Sequence, residues 1–553
     1  MRINSIGGYS FNKNLNNKVN RKNNEKQDLS FKGKLEYKKS MLLIFDGLGL
    51  RSVAGKANPF KDAKMPNFQS LMKNANGDSL YRWIEASGVH VGLPNGMVGS
   101  SEVGHNNLGA GRLVPQDLMV IDNALKDGSF YSNEAILGAI KSAKEQDKTL
   151  HVMGLLSDGH VHSETSHLRA ILKMARDNGV KDVRVHAFLD GRDVPEGSAP
   201  DYVARTNKIL RALGYEPIAS MMGMFYPMDR AKNWEKTAVA FDLLTDGRKF
   251  PEVDDLCSDI ISQYKNGTED RNILPRKSKS YKPISDGDSV IFFNYRPDRT
   301  IQLTDALTQE NCVASFLNGV RQPKNLNFVC MSQYKPEFNL PIAFKPQMHR
   351  NTLTQIMSEN EYRPFRCTET EKQPHLTFFF DGKRHVHFDG VSDVFIASEK
   401  KFTPPMRLHS IVDYLKVALK DNTTKFILSN WANADMIGHN GTYDDAVKAL
   451  EEIDWGLGEI LPILRKEGIA MVATCDHGNI EDMTHGAHTN NPVPFFTLLP
   501  GKESEIRRGE YRLRPDLEAA LKDVAPTVLK INNLQKPFDM SGTSILETNT
   551  KVY

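Results

Sequence analysis

The sequence has few cysteines, and their spacing argues against the small folds that cysteine pairs stabilise. Five occur among 553 residues: Cys257, Cys312, Cys330, Cys367 and Cys475. An odd number with no close pair is typical of reduced thiols in a cytosolic protein, and it does not suggest a disulfide framework or a zinc knuckle. We therefore expect a cytoplasmic protein.

Long apolar runs are also missing. No run approaches the roughly 20 apolar residues that span a bilayer, and the amino-terminal segment lacks the apolar core of a secretory signal. No Walker loop is evident, and no Gly-x-Gly-x-x-Gly turn follows a strand, so a dinucleotide fold has no support. With 40% hydrophobic and 25% charged residues, the chain has the composition of an ordinary globular protein, which we expect to be a monomer without membrane association.

The positive charge of the chain is concentrated at its amino terminus. Residues 1–40 hold ten Lys or Arg against three acids, which gives them +7 and leaves the rest of the chain at −4. Such an acidic body is not expected to bind nucleic acid. The Asn- and Lys-rich residues 1–38 contain few apolar side chains, which predicts a disordered basic tail. We expect its removal to change neither catalysis nor stability.

Three short apolar runs each lead to a potential metal ligand. They are residues 41–45 before Asp46, residues 425–428 shortly before Asp435, and residues 469–474 before Asp476. Runs of this kind, separated by helical stretches such as residues 443–464, predict buried strands of a mostly parallel α/β sheet. Ligands bind beyond the carboxyl ends of such strands, so we expect the three carboxylates at one site.

Histidines accompany these carboxylates. His439 follows Asp435 by four residues, His477 is adjacent to Asp476, and His488 comes eleven residues later. Neighbours in an extended strand face opposite ways, so Asp476 and His477 can share a metal only in a turn, which the following Gly-Asn favours. Mixed Asp/His sets suit Mn²⁺ or Zn²⁺. Any one residue could instead cap a helix or form a surface pair, but the set predicts a metal centre.

A glycine-rich loop between residues 87 and 112 carries two adjacent serines, Ser100 and Ser101. They lie where a helix could begin, and the amino terminus of a helix favours phosphate. A serine hydroxyl is a poor nucleophile until a base or metal activates it. Considered alone, Ser101 is equally well explained as a helix cap. Beside a metal cluster, it becomes a candidate nucleophile.

The segment from about residue 115 to residue 345 carries arginines in turns and after apolar runs. Arginine binds phosphate and carboxylate through paired hydrogen bonds. Each arginine alone could belong to a surface salt bridge, but several in a net-acidic body favour a small anionic ligand. The candidates are His162, Arg192, Asp193, Arg230, Arg296 and Arg299, with Lys372 a further cation outside the segment.

Taken together, these motifs resemble known protein families. Residues 46–47, 101–105, 435–439, 476–479 and 488–489 resemble the metal core of the alkaline-phosphatase superfamily. Residues 189–193 and 295–299 are similar to the transferase domain of cofactor-independent phosphoglycerate mutases. The resemblance extends from about Met41 nearly to the carboxyl terminus.

The resemblance implies an α/β protein of two domains and two divalent metal ions, for which Mn²⁺ is expected. A discontinuous phosphatase-like, metal-binding domain with a parallel sheet would comprise residues 39–115 and 346–553, and an inserted α/β transferase domain would comprise residues 116–345. One metal would be held by Asp435, His439 and His488. The other would be held by Asp46, Ser101, Asp476 and His477.

The implied activity is an isomerase of glycolysis and gluconeogenesis. Ser101 would take the phosphoryl group from 3-phosphoglycerate, the glycerate would reorient, and 2-phosphoglycerate would leave. The substrate would be bound by His162, Arg192, Asp193, Arg230, Arg296, Arg299 and Lys372, with Asp193 shuttling protons between the glycerate hydroxyls.

The sequence also departs from the family pattern. Met224 stands where the pattern Gly-Arg-Tyr-Tyr has arginine, so one expected guanidinium is missing, and substrate binding would weaken unless a nearby cation compensates. Ser100 replaces a usual asparagine. Two alternatives stay open: a metal-dependent phosphohydrolase of the same superfamily, and a catalytically weakened phosphoglycerate-binding protein.

Overall fold

The apolar runs of the sequence become strands of two separate seven-stranded sheets. The structure is a computed structural model, and it describes residues 35–50, 57–309 and 321–549. The strands are β1 (Ser40–Phe45), β2 (Ser79–Ile84), β3 (Leu150–Leu156), β4 (Val183–Leu189), β5 (Ser220–Gly223), β6 (Glu252–Val253), β7 (Arg276–Ser278), β8 (Ser289–Phe292), β9 (Asn327–Cys330), β10 (Phe365–Glu369), β11 (Ser392–Ile396), β12 (Phe426–Trp431), β13 (Ala470–Thr474), β14 (Val493–Leu498), β15 (Tyr511–Leu513) and β16 (Leu546–Thr548).

Helices follow most of the strands. They are α1 (Pro66–Met72), α2 (Ser101–Ala110), α3 (Asp117–Asp127), α4 (Glu134–Glu145), α5 (Thr165–Asp177), α6 (Ala199–Ala212), α7 (Trp234–Thr245), α8 (Leu256–Lys265), α9 (Ile301–Thr308), α10 (Leu353–Glu359), α11 (Leu408–Lys420), α12 (Asn433–Asn440), α13 (Tyr443–Lys466), α14 (Glu503–Arg507) and α15 (Val524–Ile531). Of the helices that the structure describes, none is long and apolar enough to cross a membrane.

The first sheet takes its strands from both ends of the chain, in the order β11-β10-β12-β1-β13-β14-β2. Its first five strands are parallel, and β14 pairs antiparallel with β13 and β2. The central strand β1 is buried along its whole length, as are β12 and β13 beside it. Burial on both faces explains why these strands are continuous apolar runs.

The second sheet is built from the middle of the chain, in the order β6-β7-β5-β4-β3-β8-β9. The pairs formed by β5, β4, β3, β8 and β9 are all parallel, and β7 pairs antiparallel with β5 and parallel with β6. Separate apolar clusters fill its two faces, and a third cluster belongs to the first sheet. The fold is therefore α/β with two sheets, the second formed by residues inserted between strands of the first.

The two chain segments that connect the first sheet with the inserted residues lie side by side. Arg112, on the way into the inserted segment, forms a 2.8 Å ion pair with Asp539 and donates a 3.0 Å hydrogen bond to the carbonyl of Arg350, on the way out. The amide of Asn351 donates to the same Asp539 carboxylate at 3.1 and 3.2 Å. One carboxylate near the carboxyl terminus thus anchors both connecting segments.

The structure describes the last four residues of the predicted tail, and two of them are packed on the body. Leu35 and Tyr37 are 4% and 8% exposed. The Tyr37 hydroxyl donates to the carbonyl of Pro500 at 2.8 Å, and its backbone N–H donates to Ile531 at 3.2 Å. The prediction of a disordered tail is therefore wrong for residues 35–38, whereas residues 1–34 lie outside the described residues.

We predict that deleting residues 1–38 lowers the melting temperature, whereas deleting residues 1–34 does not. The longer deletion removes Leu35 and Tyr37, and burying such side chains stabilises a fold by about 1.5–3 kcal/mol each. Calorimetry of the two truncated proteins against the full chain measures the difference. Equal melting temperatures for the two deletions would contradict a stabilising role for this contact.

Candidate metal centre and anion site

Three neighbouring strands of the first sheet bring three carboxylates together. Asp46 directly follows β1, Asp476 comes two residues after β13, and Asp435 lies in α12 just after β12. The backbone N–H of Asp435 donates to the carbonyl of Asp46 at 2.9 Å. Gly47 makes this approach possible, because its φ is +75° and an added Cβ would lie 2.5 Å from the Cα of Asp435. All three carboxylates are buried.

Asp435, His439 and His488 converge on one point. The Nε2 atoms of the two histidines are 3.2 and 3.3 Å from Asp435 Oδ1, and 3.1 Å from each other. Each Nδ1 lies against a backbone carbonyl, Gly486 at 2.6 Å and Gly99 at 2.8 Å. Such a bond fixes the tautomer in which Nε2 carries a lone pair. Two lone pairs and a carboxylate oxygen facing one another are an arrangement suited to a cation.

Ser101 lies at the centre of a second group. It is the first residue of α2, and Ser100 caps that helix by accepting from the N–H of Val103. The Ser101 Oγ is 3.0 Å from His477 Nε2 and 3.3 Å from Asp46 Oδ1. His477 Nε2 is also 3.5 Å from Asp476 Oδ2. The structure therefore brings the four predicted ligands of the second metal together.

Lys372 lies inside this cluster and not among the arginines. Its Nζ is 2.6 Å from Asp46 Oδ1 and from Asp435 Oδ2, and it donates to Ser101 Oγ at 2.8 Å. Burial opposes the charge of the ammonium, but Asp435 and Asp46 hold the pKa of Lys372 above its ordinary value. Lys372 is therefore a cation between the two predicted ligand groups, in contact with the candidate nucleophile.

The charges of the cluster fit divalent cations. Three negative charges would come from Asp46, Asp435 and Asp476, and the positive charge of Lys372 would offset one of them. Burial, followed by the nearby Asp476, raises the pKa of Asp46, which shows that the negative charges are crowded. Buried charge without compensation costs several kcal/mol. Metal ions would supply the missing positive charge, and the imidazole and carboxylate donors are ones that Mn²⁺ and Zn²⁺ accept.

His105 belongs to the second group but was not among the predicted ligands. One ring nitrogen of His105 and carboxylate oxygens of Asp46 and Asp476 lie within 4.8 Å of one another, close enough to share a metal ion. Both ring nitrogens also have other partners: Nδ1 lies 2.9 Å from the carbonyl of Ser101, and Nε2 lies 3.0 Å from the Asn430 amide. His105 therefore holds the beginning of α2 against the carboxylates.

Glu481 connects the three loops that carry ligands, and the sequence did not single it out. Its side chain is fully buried. Oε2 accepts from the backbone N–H of Gly49 at 3.0 Å and of Asn479 at 2.8 Å, and Oε1 accepts from the Asn491 amide at 2.9 Å and from the Thr489 hydroxyl. These donors follow Asp46, His477 and His488 in the chain. One carboxylate thus fixes three ligand-bearing turns relative to one another.

The predicted anion-binding residues follow four adjacent strands of the second sheet. His162 comes after β3, Arg192 and Asp193 after β4, Arg230 after β5, and Arg296 and Arg299 after β8. Because β5, β4, β3 and β8 are parallel neighbours, their carboxyl ends share one edge. The structure brings these six residues to that edge, while Lys372 lies in the other half.

Asp298 lies among these cations, and the sequence did not identify it. Its carboxylate is 2.8 Å from Arg230, 3.2 Å from Arg296 and 3.7 Å from His162 Nδ1. His162 is 3.8 Å from Asp193 on its other side. Burial lowers the pKa of His162 to about 4, and burial with the nearby Asp190 raises the pKa of Asp193. Asp193 is therefore more readily protonated than an ordinary aspartate.

The metal-ligand cluster and Arg296, one of the predicted anion-binding arginines, open on one cavity of about 810 Å³. From the first half it is lined by Ser101, Asp435, His439 and His488, and from the inserted half by residues that include Arg296 and Asp298. A small anion held by the arginines can therefore present one end to Ser101.

Met224 lies at the same strand edge but faces a different space. It is 5% exposed, packs in the apolar cluster with Phe188 and Met222, and donates its backbone N–H to Leu189 at 2.8 Å. With Arg192 and Arg299, it lines a second cavity of about 150 Å³. The position is therefore close to predicted anion-binding residues, as its place in the motif implies.

Comparisons with known proteins identify a matching family model and several relatives. The family described as BPG-independent PGAM N-terminus matches residues 121–336. The chain is 38% identical over 522 residues to the 2,3-bisphosphoglycerate-independent phosphoglycerate mutase of Listeria welshimeri, over 92% of this chain and 98% of that protein. It is 38% identical over 526 residues to 2,3-bisphosphoglycerate-independent phosphoglycerate mutase 1 of Methanosarcina barkeri, with the same coverage.

A solved structure has the same overall arrangement. The phosphoglycerate mutase of Leishmania mexicana, determined at low cobalt concentration, matches with a TM-score of 0.67 and 27% identity. The match covers 93% of this chain and 98% of that one, so it includes both sheets.

We predict that Glu481→Gln weakens metal binding about tenfold, since changes to groups that orient metal ligands typically cost 10- to 100-fold in affinity. The amide would turn an N–H₂ group towards backbone or side-chain donors that the carboxylate now satisfies. Equilibrium titration of the metal-stripped protein with Mn²⁺ measures the affinity.

Asp454→Asn is the matched control for this substitution. Asp454 is another buried carboxylate, and it accepts from the N–H of Phe68 at 2.8 Å away from the ligand turns. The control should lower stability but leave Mn²⁺ affinity unchanged. Unchanged Mn²⁺ affinity in Glu481→Gln would refute the positioning role.

Proposed function

This chain belongs to the 2,3-bisphosphoglycerate-independent phosphoglycerate mutases, an isomerase family that interconverts 3-phosphoglycerate and 2-phosphoglycerate, and we propose that it transfers the phosphoryl group through Ser101. One observation carries this proposal. The Ser101 Oγ, with Lys372 and His477 within 3.0 Å of it, opens on a cavity that the arginine-rich half also lines. We further infer a cytoplasmic monomer.

The metal ligands are proposed as two sets. Asp435, His439 and His488 would hold one divalent ion, and Asp46, Ser101, Asp476 and His477 would hold the other, with Mn²⁺ favoured by the mixed donors. Bound metal would lower the pKa of the Ser101 hydroxyl and offset charge on the transferred phosphoryl group.

The inserted half would bind the substrate. His162, Arg192, Arg230, Arg296 and Arg299 would hold the phosphate and carboxylate of phosphoglycerate. The carboxylate of Asp298 already pairs with Arg230 and Arg296, so it keeps their guanidinium groups in place before an anion arrives. This preorganisation reduces the entropy lost on binding.

The transfer has two balanced steps. The Ser101 oxygen, which enters as the alkoxide and is restored as the alkoxide at the end, attacks phosphorus, the bond from phosphorus to the C3 oxygen breaks, and that oxygen takes a proton to leave glycerate. After glycerate turns, its C2 oxygen attacks phosphorus, loses a proton, and the bond to Ser101 breaks. Lys372 donates to the Ser101 oxygen at 2.8 Å and stabilises its negative charge in both steps. Asp193, with its raised pKa, would carry the proton between the two oxygens.

The assay that tests the function supplies 3-phosphoglycerate and Mn²⁺ without bisphosphoglycerate. We expect 2-phosphoglycerate as the product, and we expect a chelator to abolish its formation. Free phosphate as the main product would identify the chain as a phosphohydrolase. Binding without product would identify a phosphoglycerate-binding protein, and full turnover after metal removal would refute the metal requirement.

We predict that Ser101→Ala abolishes mutase turnover, whereas Ser100→Ala is mild. Ser101 supplies the oxygen that forms the bond to phosphorus, and Ser100 only caps α2, a contact worth about 1 kcal/mol of stability. Steady-state rates and melting temperatures of both variants separate chemistry from folding. Turnover of Ser101→Ala at the parent rate would exclude the nucleophile role.

A further inference from the structure

Half of the residues that line the smaller cavity of the inserted half are cations. Its described lining includes Arg192, Lys236, Arg271 and Arg299, and the single acid there is Asp229. At about 150 Å³ it has room for about five water molecules at roughly 30 Å³ each. This volume suits one charged group of a small molecule, but not a whole phosphoglycerate.

Asp229 can offset only one of these four positive charges. Its Oδ1 accepts from the backbone N–H groups of Ala231 and Asn233 at 3.0 and 2.9 Å, and its Oδ2 accepts from the Asn233 amide at 3.1 Å. Lys236 Nζ stays 3.9 Å away. The carboxylate is therefore used to close the turn before α7, and the cavity keeps an excess of positive charge.

The two cations that the substrate assignment leaves out are held at the cavity by their surroundings. The backbone carbonyl of Arg271 accepts a 3.0 Å hydrogen bond from the N–H of Phe225. This bond ties the backbone of Arg271 to the end of β5. Its guanidinium pairs on one side with Glu269 at 2.8 Å. Lys236 lies 3.5 Å over the ring of Phe225. Both side chains are thus positioned beside Arg192 and Arg299.

The cavity is adjacent to the larger one. Arg296 and Asp298 line the larger cavity, which contains Ser101, and Arg299 lines the smaller one. The turn that holds these three residues therefore separates the two spaces. In the proposed function, a substrate with its phosphate at Ser101 would extend its other end towards this turn.

We propose that Arg271 and Lys236 bind the carboxylate of phosphoglycerate, together with Arg192 and Arg299, an assignment that rests on the proposed function. Phosphorus must reach Ser101, so the charged end that is not transferred is the one available for the smaller cavity. Both isomers carry this carboxylate, so one site serves substrate and product. The remaining guanidinium N–H groups of Arg271 and the ammonium of Lys236 supply the donors.

The test measures binding and turnover of Arg271→Gln and Lys236→Gln in the full chain with Mn²⁺. Each should raise the KM and Kd of 3-phosphoglycerate about three- to tenfold, with kcat nearly unchanged, because a partly exposed charged contact is lost. Affinity for glycerol 3-phosphate, which lacks the carboxylate, should not change. Melting temperatures should match the parent, since Arg271 is half exposed and Lys236 is partly exposed.

The matched controls are Arg248→Gln and Lys249→Gln. Like Arg271, Arg248 is paired with a near neighbour, Asp246, and Lys249 pairs with Asp242. Neither lines the cavity, so both variants should behave as the parent. Met224→Arg added to Arg271→Gln should restore part of the lost affinity, because Met224 lines the same cavity.

These measurements test the proposed carboxylate site independently of the mutase activity. Unchanged 3-phosphoglycerate affinity in both variants overturns it, as does an equal loss for 3-phosphoglycerate and glycerol 3-phosphate. A loss confined to the ligand with the carboxylate supports it. If the parent makes no 2-phosphoglycerate, the proposed function fails. The Kd values, measured by titration calorimetry, still decide whether these residues bind the carboxylate.

Discussion

Three carboxylates buried around one ammonium are the constraint on which the site depends. Asp46, Asp435 and Asp476 are almost inaccessible, and Lys372 can offset only one of their charges. Buried Glu481 shows the contrast, because four donors satisfy its carboxylate and it needs no cation. The fold accepts the desolvation cost of the other three because parallel strands bring their ends together. The unbalanced charge is what would bind metal.

The second half of the molecule carries the opposite charge at the corresponding place. Its parallel strands end in arginines, so an anion is attracted to one wall of the cavity while the other wall would hold metal ions. A phosphoglycerate has two charged ends, and neither half alone presents both a nucleophile and a set of guanidinium groups. In the proposed function the insertion divides the work: one sheet positions Ser101, and the other would position the molecule that Ser101 attacks.

The sequence predicted those parts of the site that leave a local trace. An apolar run followed by Asp or His marks a strand end, and this pattern located the strands β1, β12 and β13 and the residues that meet beyond them. The resemblance predicted that Lys372 binds substrate, and its sequence neighbours could not reveal that Asp46 and Asp435 lie 2.6 Å away. Glu481 and Asp298 were missed because their partners come from other loops. Contacts made only by tertiary packing have no periodic pattern to detect.

In the proposed mechanism, whether the phosphoryl group goes to glycerate or to water would depend on the inserted half more than on Ser101. A phosphorylated serine is equally open to attack by either, so the outcome follows from which oxygen is held in line. Held reactants reach effective concentrations of roughly 10⁵–10⁸ M in favourable geometries, which favours glycerate as long as its charged groups stay bound. The two connecting segments share the Asp539 carboxylate, so the arginine edge and Ser101 are kept on facing walls of the cavity. Weakening the cations of the inserted half should therefore shift the products towards free phosphate while the chemistry at Ser101 continues.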